Sequence, residues 1–335
     1  MNQSVARSPE AVELRRRHRA NFDVLNAELA ETHTDRWVRF FNMGYRDVGD
    51  TSAAAQLNAD SVRLIREVIG DTDLTDQVVC EVGCGRGGNL SHVQRHHSPR
   101  AVVGVDLVES TLRGARRANR SNRANRSNST ARGLVVGTAE ELPLKAACCD
   151  VVLNVESSQF YPSVSAFYFE ARRVLRSGGR LLYADLMLSE LLDPALEVLG
   201  QVGFRVDSVR DISANVLASR RAVGAQQARA YADPARGPAI ENFVGAADTA
   251  SFAVLASGRA TYRIVHATAA APAASLDRIE ASAAARALRR ASAELFDLTG
   301  DLTRRDPNGG DLAAGDLAAG DLGAGDLDVD RRGTS

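Results

Sequence analysis

The stretch VVCEVGCGRGGNL at residues 78–90 leads from an apolar segment through Gly83, Gly85 and Gly87 into a helical pattern. Glycines at such a turn let bare backbone approach a ligand that a Cβ would hold off. The chemistry this serves is the holding of a flat or extended molecule. The same letters satisfy G-x-G-x-x-G through Gly83, Gly85 and Gly88, so the glycines alone leave a dinucleotide open. Two carboxylates narrow the choice. Glu81 stands just before the turn, where it can orient the backbone and offset the positive charge of an amino-acid group, whereas it repels a pyrophosphate. Asp106 closes the run AVVGVD, where one carboxylate can accept both hydroxyls of a ribose. A nucleoside with an amino-acid tail suits both acids better than a dinucleotide does.

Such a site has to be carried by a sheet. Short apolar runs recur at 77–82 (QVVCEV), 101–106 (AVVGVD), 133–137 (GLVVG), 150–155 (DVVLNV) and 180–186 (RLLYADL), separated by helical patterns. Continuous valine and leucine runs suit strands buried on both faces of a parallel sheet. The segments 203–212 and 259–267 alternate more clearly and fit late strands near the sheet edge. The expected fold class is α/β: a Rossmann-like, mostly parallel sheet of about seven strands with helices on both faces, preceded by a helical N-terminal lid.

Further along, GTAEELPL, CDVVLNVES and ARRVLRSGGRLLYADL follow at the spacing of a third strand, a fourth strand, and a helix with glycine turn and fifth strand. Together, over roughly residues 77–186, these motifs resemble the class I S-adenosylmethionine-dependent methyltransferases. The resemblance implies S-adenosylmethionine as cofactor. It also implies that Glu81, Gly83, Cys84 and Gly85 line the methionine moiety, that Asp106 meets the ribose, that Leu107 lies beside the adenine, and that Thr138 and Ala139 flank the ring. Asn154 on the fourth strand joins this cofactor set. Many relatives carry aspartate where Thr138 stands, and threonine can still accept a hydrogen bond there.

Within that family, NVESSQFYP, FYFEARRVLRSGG and the early RFFNMGY look like the small-molecule O-methyltransferases that act on hydroxyls of polyketides, lipids and related secondary metabolites, including the phthiotriolone type. Relatives often have histidine where Gln159 stands, and glutamine is no general base near neutral pH. Methyl transfer from a sulfonium is an in-line displacement, so alignment in a dry pocket supplies much of the rate. An aliphatic alcohol gains further from removal of its proton. The candidate bases are Glu156 after the fourth strand, His33 in the lead-in and Asp185 at the end of the fifth strand. Trp37, Phe40, Phe41 and Tyr45 form an aromatic cluster in a chain that is only 5% aromatic, as a lid over an apolar acceptor requires. Tyr45, Gln159, Phe160 and Tyr161 are the expected substrate contacts.

At 335 residues, with 44% hydrophobic and 25% charged, the chain has the makings of a folded core and is neither collagen-like nor a disulfide scaffold. Its net charge of -1 exerts no global pull toward nucleic acid or an anionic membrane and names no partner, and the resemblance implies a small-molecule acceptor. Cys80, Cys84, Cys148 and Cys149 match neither a zinc half-site nor a secreted disulfide framework, and no metal is expected. No stretch approaches the ~20 apolar residues of a membrane span, and the first residues lack a signal-peptide core, which places the protein in the cytoplasm.

The expected organisation is a mobile arginine-rich arm at 1–20, a helical lid at 21–75, the cofactor-binding methyltransferase domain at 76–268, a peripheral helix at 269–300 and a disordered tail at 301–335. The tail repeats a GDLAA-like unit four times, too few to bury a core of their own. The RANRSN duplication at 117–128 lies in a run rich in arginine and is read as a solvated extension. Competing functions are N- or C-methylation of a small molecule, a nucleotide-linked oxidoreductase resting on the alternative glycine pattern, nucleic-acid binding through the arginines, and a fold that keeps the cofactor as a structural element.

Overall fold

In the computed structural model the apolar runs become β1 (Val78–Val82), β2 (Ala101–Asp106), β3 (Ala131–Val136), β4 (Cys149–Val155), β5 (Leu175–Leu188), β6 (Phe204–Asp211) and β7 (Ala260–Ala269). They pair into one seven-stranded sheet of order β3-β2-β1-β4-β5-β7-β6. The first five run parallel, and β7 enters antiparallel between β5 and β6. Strand order reverses between β1 and β4, and open α/β sheets collect ligands at the carboxyl ends beside such a reversal. The structure describes residues 7–31, 37–52, 58–120, 131–231 and 237–299, all within a single unit, Met1–Arg305. His33, residues 121–130 of the arginine-rich segment and the repetitive tail lie outside the described residues.

Helices α2 (Ala59–Ile69), α3 (Gly88–His96), α4 (Glu109–Arg120), α5 (Val164–Val174) and α6 (Leu192–Gln201) flank the sheet. Leu64, Ile65, Val68 and Ile69 of α2 are buried in the main core, as their helical spacing requires. The Ser163 hydroxyl caps α5 by accepting from the Ala166 N–H at 3.1 Å. Ahead of the sheet, α1 spans Pro9–Glu31, so the stretch read as an arm is helical from Pro9 onward and no boundary falls at residue 20. The helix hides from a periodicity reading because it is held largely by polar side chains. Asn26 Nδ2 donates to Thr111 Oγ1 at 2.8 Å, Arg86 Nη1 donates to Asn26 Oδ1 at 3.1 Å, and Arg15 pairs with Glu140 at 3.6 Å.

Between β6 and β7 lie α7 (Ser213–Tyr231), α8 (Gly237–Phe243) and α9 (Ala250–Ala256). A second, smaller core of Leu25, Leu29, Val38, Ile240, Val244 and Ala246 ties α1 and the lead-in to the α8 region. The C-terminal stretch read as one peripheral helix is two, α10 (Leu276–Glu280) and α11 (Ala283–Thr299). Ile279, Ala284, Ala285 and Leu288 bury into the main core, so these helices complete it rather than decorate it. At the sheet's end β6 is exposed after Phe204 and shows a register shift against β7 between Val206 and Ser208. Arg205 pairs there with Asp207, Arg210 with Glu67 and Arg263 of β7 with Asp211.

Candidate active site

The backbone after β1 turns back on itself, and the Gly83 and Cys84 N–H groups both donate to the Val105 carbonyl, at 2.8 and 3.1 Å. Gly83, Gly85 and Gly87 all have positive φ, at 70°, 52° and 70°, the left-handed region that favours glycine. The turn is locked to β2 by Asp106, whose Oδ2 accepts from the Gly85 N–H at 2.8 Å and whose Oδ1 accepts from the Val108 N–H at 2.9 Å. Burial raises the Asp106 carboxyl to about 6 even though those two N–H groups favour its ionised form. Below the turn Glu81 accepts from Asn89 Nδ2 at 2.7 Å. Gly88, the last glycine of the dinucleotide pattern, serves packing instead: a Cβ there would stand 2.5 Å from the Arg39 carbonyl oxygen of the lead-in.

A cavity open to solvent lies over the carboxyl ends of β1, β2 and β4. Glu81, Gly83, Cys84, Gly85, Asp106, Leu107, Thr138 and Ala139 line one part of it, and Glu156, Gln159, Phe160 and Tyr161 line another. The structure thus brings together residues that sequence reading assigned to two ligands. Asn154 lies off the wall, fully buried, where its Nδ2 approaches the Val82 carbonyl (3.0 Å), Ser157 Oγ (2.8 Å) and Tyr161 OH (2.9 Å). It shapes the floor of the turn rather than facing the cavity. Tyr45 also departs from expectation. The chain bends at Gly44, where φ is 75°, and the Tyr45 N–H donates to the Asp60 carbonyl at 2.9 Å while its ring packs on the main core. Of the aromatic cluster, Phe40 and Phe41 reach the cavity and Trp37 is 60% exposed.

Glu156 follows β4 with φ at 49°, a strained value for a side-chain-bearing residue. Its Oε1 accepts from the Met43 N–H and from the Tyr262 hydroxyl, both at 2.7 Å, and so fastens the lead-in to β7. Burial raises this carboxyl from its ordinary 4.5 to about 7. The folded protein therefore carries the full penalty of ionising it only above the raised value, and none once the pH falls below the ordinary one. Glu156→Gln retains the acceptor and removes that penalty. The variant should exceed the wild type in stability by about 3 kcal/mol near pH 8, with the advantage shrinking as the pH falls toward about 4.5. Paired melting curves across that range check this, and a pH-independent difference would contradict it.

Asp185, the other acid expected at the strand ends, is fully buried and does not line the cavity. Its Oδ2 accepts from the N–H groups of Ser157, Ser158 and Gln159 and from the Ser158 hydroxyl, at 2.7 to 3.3 Å. That carboxylate organises the loop behind the site. Burial raises it to about 6.

Several wall residues escaped sequence reading. Arg15, His18 and Phe22 come from α1, Arg39 from the lead-in, Arg86 from the glycine turn and Phe243 from α8. Phe22 sits at the centre of an aromatic group, with ring centroids 4.8 Å from His18, 5.5 Å from Phe41, 5.6 Å from Phe243 and 6.3 Å from Phe160. His18 and Phe22 lie one helical turn apart, a spacing that could have been noticed had residues 9–20 shown an apolar stripe. The cavity thus joins a polar glycine-turn half to an aromatic half.

Residues 80–183 match the methyltransferase-domain family. The chain is 34% identical over 191 residues to the fatty-acid O-methyltransferase of Mycolicibacterium smegmatis, covering 53% of this chain and 67% of that protein. It is 32% identical over 219 residues to the phthiotriol/phenolphthiotriol dimycocerosates methyltransferase of Mycobacterium tuberculosis, covering 63% and 77%. The chain belongs to the S-adenosylmethionine-dependent methyltransferases. Solved structures agree on the fold. Geranyl diphosphate C-methyltransferase from Streptomyces coelicolor superposes with a TM-score of 0.55 at 17% identity, covering 78% of this chain and 98% of that one. The [4+2]-cyclase SpnF does so with a TM-score of 0.54 at 19% identity, covering 70% and 87%. The methyltransferase fold therefore hosts more than one chemistry, and the assignment to transferases rests on the sequence relatives.

The residues present fit the cofactor. A Cβ on Gly85 would meet only Phe41, at 3.5 Å, so the turn's backbone is bare toward the cavity, and the Asp106 carboxylate stands on the same wall. S-adenosylmethionine, when bound, supplies a methyl group on a positively charged sulfur. Among the described residues no His, Cys, Asp or Glu cluster could hold a metal ion, and no helix is long and apolar enough to cross a membrane.

Proposed function

We propose that the methyltransferase O-methylates a hydroxyl of an apolar lipid, polyketide or similar secondary metabolite. The observation that carries this reading is the aromatic half of the cavity, where His18, Phe22, Phe41, Phe160 and Phe243 face the same space as the glycine turn. Apolar walls with few polar groups bind a hydrocarbon acceptor and exclude the water that would compete with it. The names of the relatives, which act on a fatty acid and on phthiotriol dimycocerosates, support the same class.

In this proposal Glu81, Gly83, Cys84 and Gly85 hold the methionine end of the cofactor, Asp106 the ribose, and Leu107, Thr138 and Ala139 the adenine. Gln159, Phe160 and Tyr161 meet the acceptor, and Glu156 positions the lead-in rather than moving a proton. All four cysteines are free, with Cys148 and Cys149 sulfurs 3.6 Å apart and unbonded, which supports a reducing compartment and hence the cytoplasm.

Titration with S-adenosylhomocysteine and a transfer assay with long-chain alcohols, fatty acids, amines and phenols test the reading. Turnover confined to amines or to carbon acceptors would overturn it. Asp106→Ala should weaken S-adenosylhomocysteine at least tenfold, about 1.4 kcal/mol. Ribose hydroxyls donate to the ionised carboxylate, and the group titrates near 6, so wild-type affinity should fall as the pH drops through that value. Unchanged affinity in the variant would remove Asp106 from the cofactor site.

A further inference from the structure

His18 is the one imidazole on the cavity wall among the described residues. Its Nδ1 is buried and has no hydrogen-bond partner among them. The ring is held between Phe22 and Phe160, with centroids 4.8 and 5.0 Å away. Gln159, next to Phe160 in the chain, also lines the cavity, and its Oε1 is likewise buried and unpartnered. Buried polar atoms are nearly always hydrogen-bonded, and among the several unpartnered ones on the cavity wall these two adjoin Phe160, where a ligand can complete them. The rings beside them are apolar, so the matching ligand is a hydrocarbon bearing a polar group.

We propose that the Gln159 amide, turned so that its nitrogen stands where Oε1 is, donates to the acceptor oxygen, and that His18 Nδ1 accepts the hydroxyl hydrogen and takes the proton as the methyl group is transferred. This rests on the hydroxyl acceptor proposed above. The acceptor oxygen uses a lone pair to form the new C–O bond while the C–S bond breaks and its electron pair goes to sulfur. The O–H bonding pair stays on oxygen, giving the ether, and the proton passes to Nδ1. Sulfur loses its positive charge as imidazole gains one, so the pocket's net charge is unchanged. The imidazolium then returns the proton to solvent as the product leaves.

Burial, with a smaller contribution from Arg19, lowers the His18 imidazole to about 4, so it is neutral and able to accept near pH 7. Such a nitrogen is a weak base toward an unreacted alcohol. The hydroxyl becomes far more acidic as the C–O bond forms, and a late proton transfer suffices. Four of the other charged groups on this wall have partners. Arg15 pairs with Glu140, Arg39 donates to Ser91 Oγ at 3.1 Å, and Glu156 Oε1 holds Met43 and Tyr262.

The experiment compares wild type, His18→Gln and His18→Ala with two acceptors, a long-chain secondary alcohol and a long-chain fatty acid, and measures S-adenosylhomocysteine affinity by calorimetry on the same preparations. A carboxylate has no proton to lose, so it provides the control. Both variants should bind S-adenosylhomocysteine within about threefold of wild type and lose about a hundredfold or more in kcat on the alcohol, while any turnover of the acid should fall by less than about tenfold through lost packing alone. Added imidazole should restore part of the alcohol turnover of His18→Ala. Alcohol turnover retained by His18→Gln would overturn the base alone. A loss of S-adenosylhomocysteine affinity in step with turnover would make His18 a cofactor or folding residue and overturn it too. Wild-type turnover of the acid only, or of neither, would remove the hydroxyl acceptor and the base with it.

Discussion

Gly83→Ala should destabilise the methyltransferase by about 3 kcal/mol and abolish measurable binding of S-adenosylhomocysteine. Two effects add. An alanine held at a φ of 70° carries the left-handed penalty of about 1–2 kcal/mol. Its Cβ would also stand 2.3 Å from Ser157 Oγ and 2.9 Å from Tyr161 OH. Ser157 cannot step aside cheaply, because its hydroxyl is bonded to Tyr161 OH at 2.7 Å and to Asn154 Nδ2 at 2.8 Å. Forcing a methyl into so tight a place adds about 1–3 kcal/mol and pushes the turn into the cavity. Gly178→Ala provides the control, since its φ is 76° but nothing lies within 4 Å of the added carbon. It should lose only the left-handed penalty. Equal losses in the two variants, by chemical denaturation, would show that the turn is not tightly packed.

Asp185→Ala should lose about 3–5 kcal/mol, because it leaves backbone donors buried without an acceptor. Ser157, Ser158 and Gln159 all point their N–H groups at one carboxylate oxygen, the strongest at 2.7 Å. Water cannot replace the acceptor in a position that is 0% exposed. The loop so released carries Glu156, Gln159 and Phe160, so turnover should fall further than cofactor affinity, which depends on the other side of the cavity. Asp185→Asn keeps one accepting oxygen and should recover more than half of the lost stability. A loss below about 1 kcal/mol in the alanine variant would mean that the loop is held by its other contacts.

The sheet was legible in the sequence because valine-rich runs, glycine turns and strand-end acids are local signals. Each of the five expected parallel strands lies within about two residues of its place or inside a longer strand, and Gly83, Gly85 and Asp106 line one cavity. What stayed hidden depends on partners distant in the chain. Residues 9–20 fold into α1 with only Ala11 among them fully covered, so no apolar stripe announced the helix, and with it His18 was missed. Arg86 carries no local signal of burial, yet it is 2% exposed and donates to Asn26, sixty positions away. Asn154 is expected in the cofactor set and Asp185 among the candidate bases at a strand end, yet neither lines the cavity. Which face of a strand end a side chain takes is set by the neighbouring strand and loop, and these two turn inward to hold the backbone on which the wall residues are mounted.

The outer edge of the sheet bears on how the protein behaves at high concentration. A free strand edge is a template for another chain, and long, flat, apolar edges seed aggregates. β6 is neither flat nor apolar, since its pairing shifts register at Val206 and it carries Arg205, Asp207, Arg210 and Asp211 in succession along its length. A second copy approaching edge to edge would have to bury those charges and match the kink. The methyltransferase can thus keep an aromatic cavity at the carboxyl ends of its strands without making the sheet edge itself adhesive.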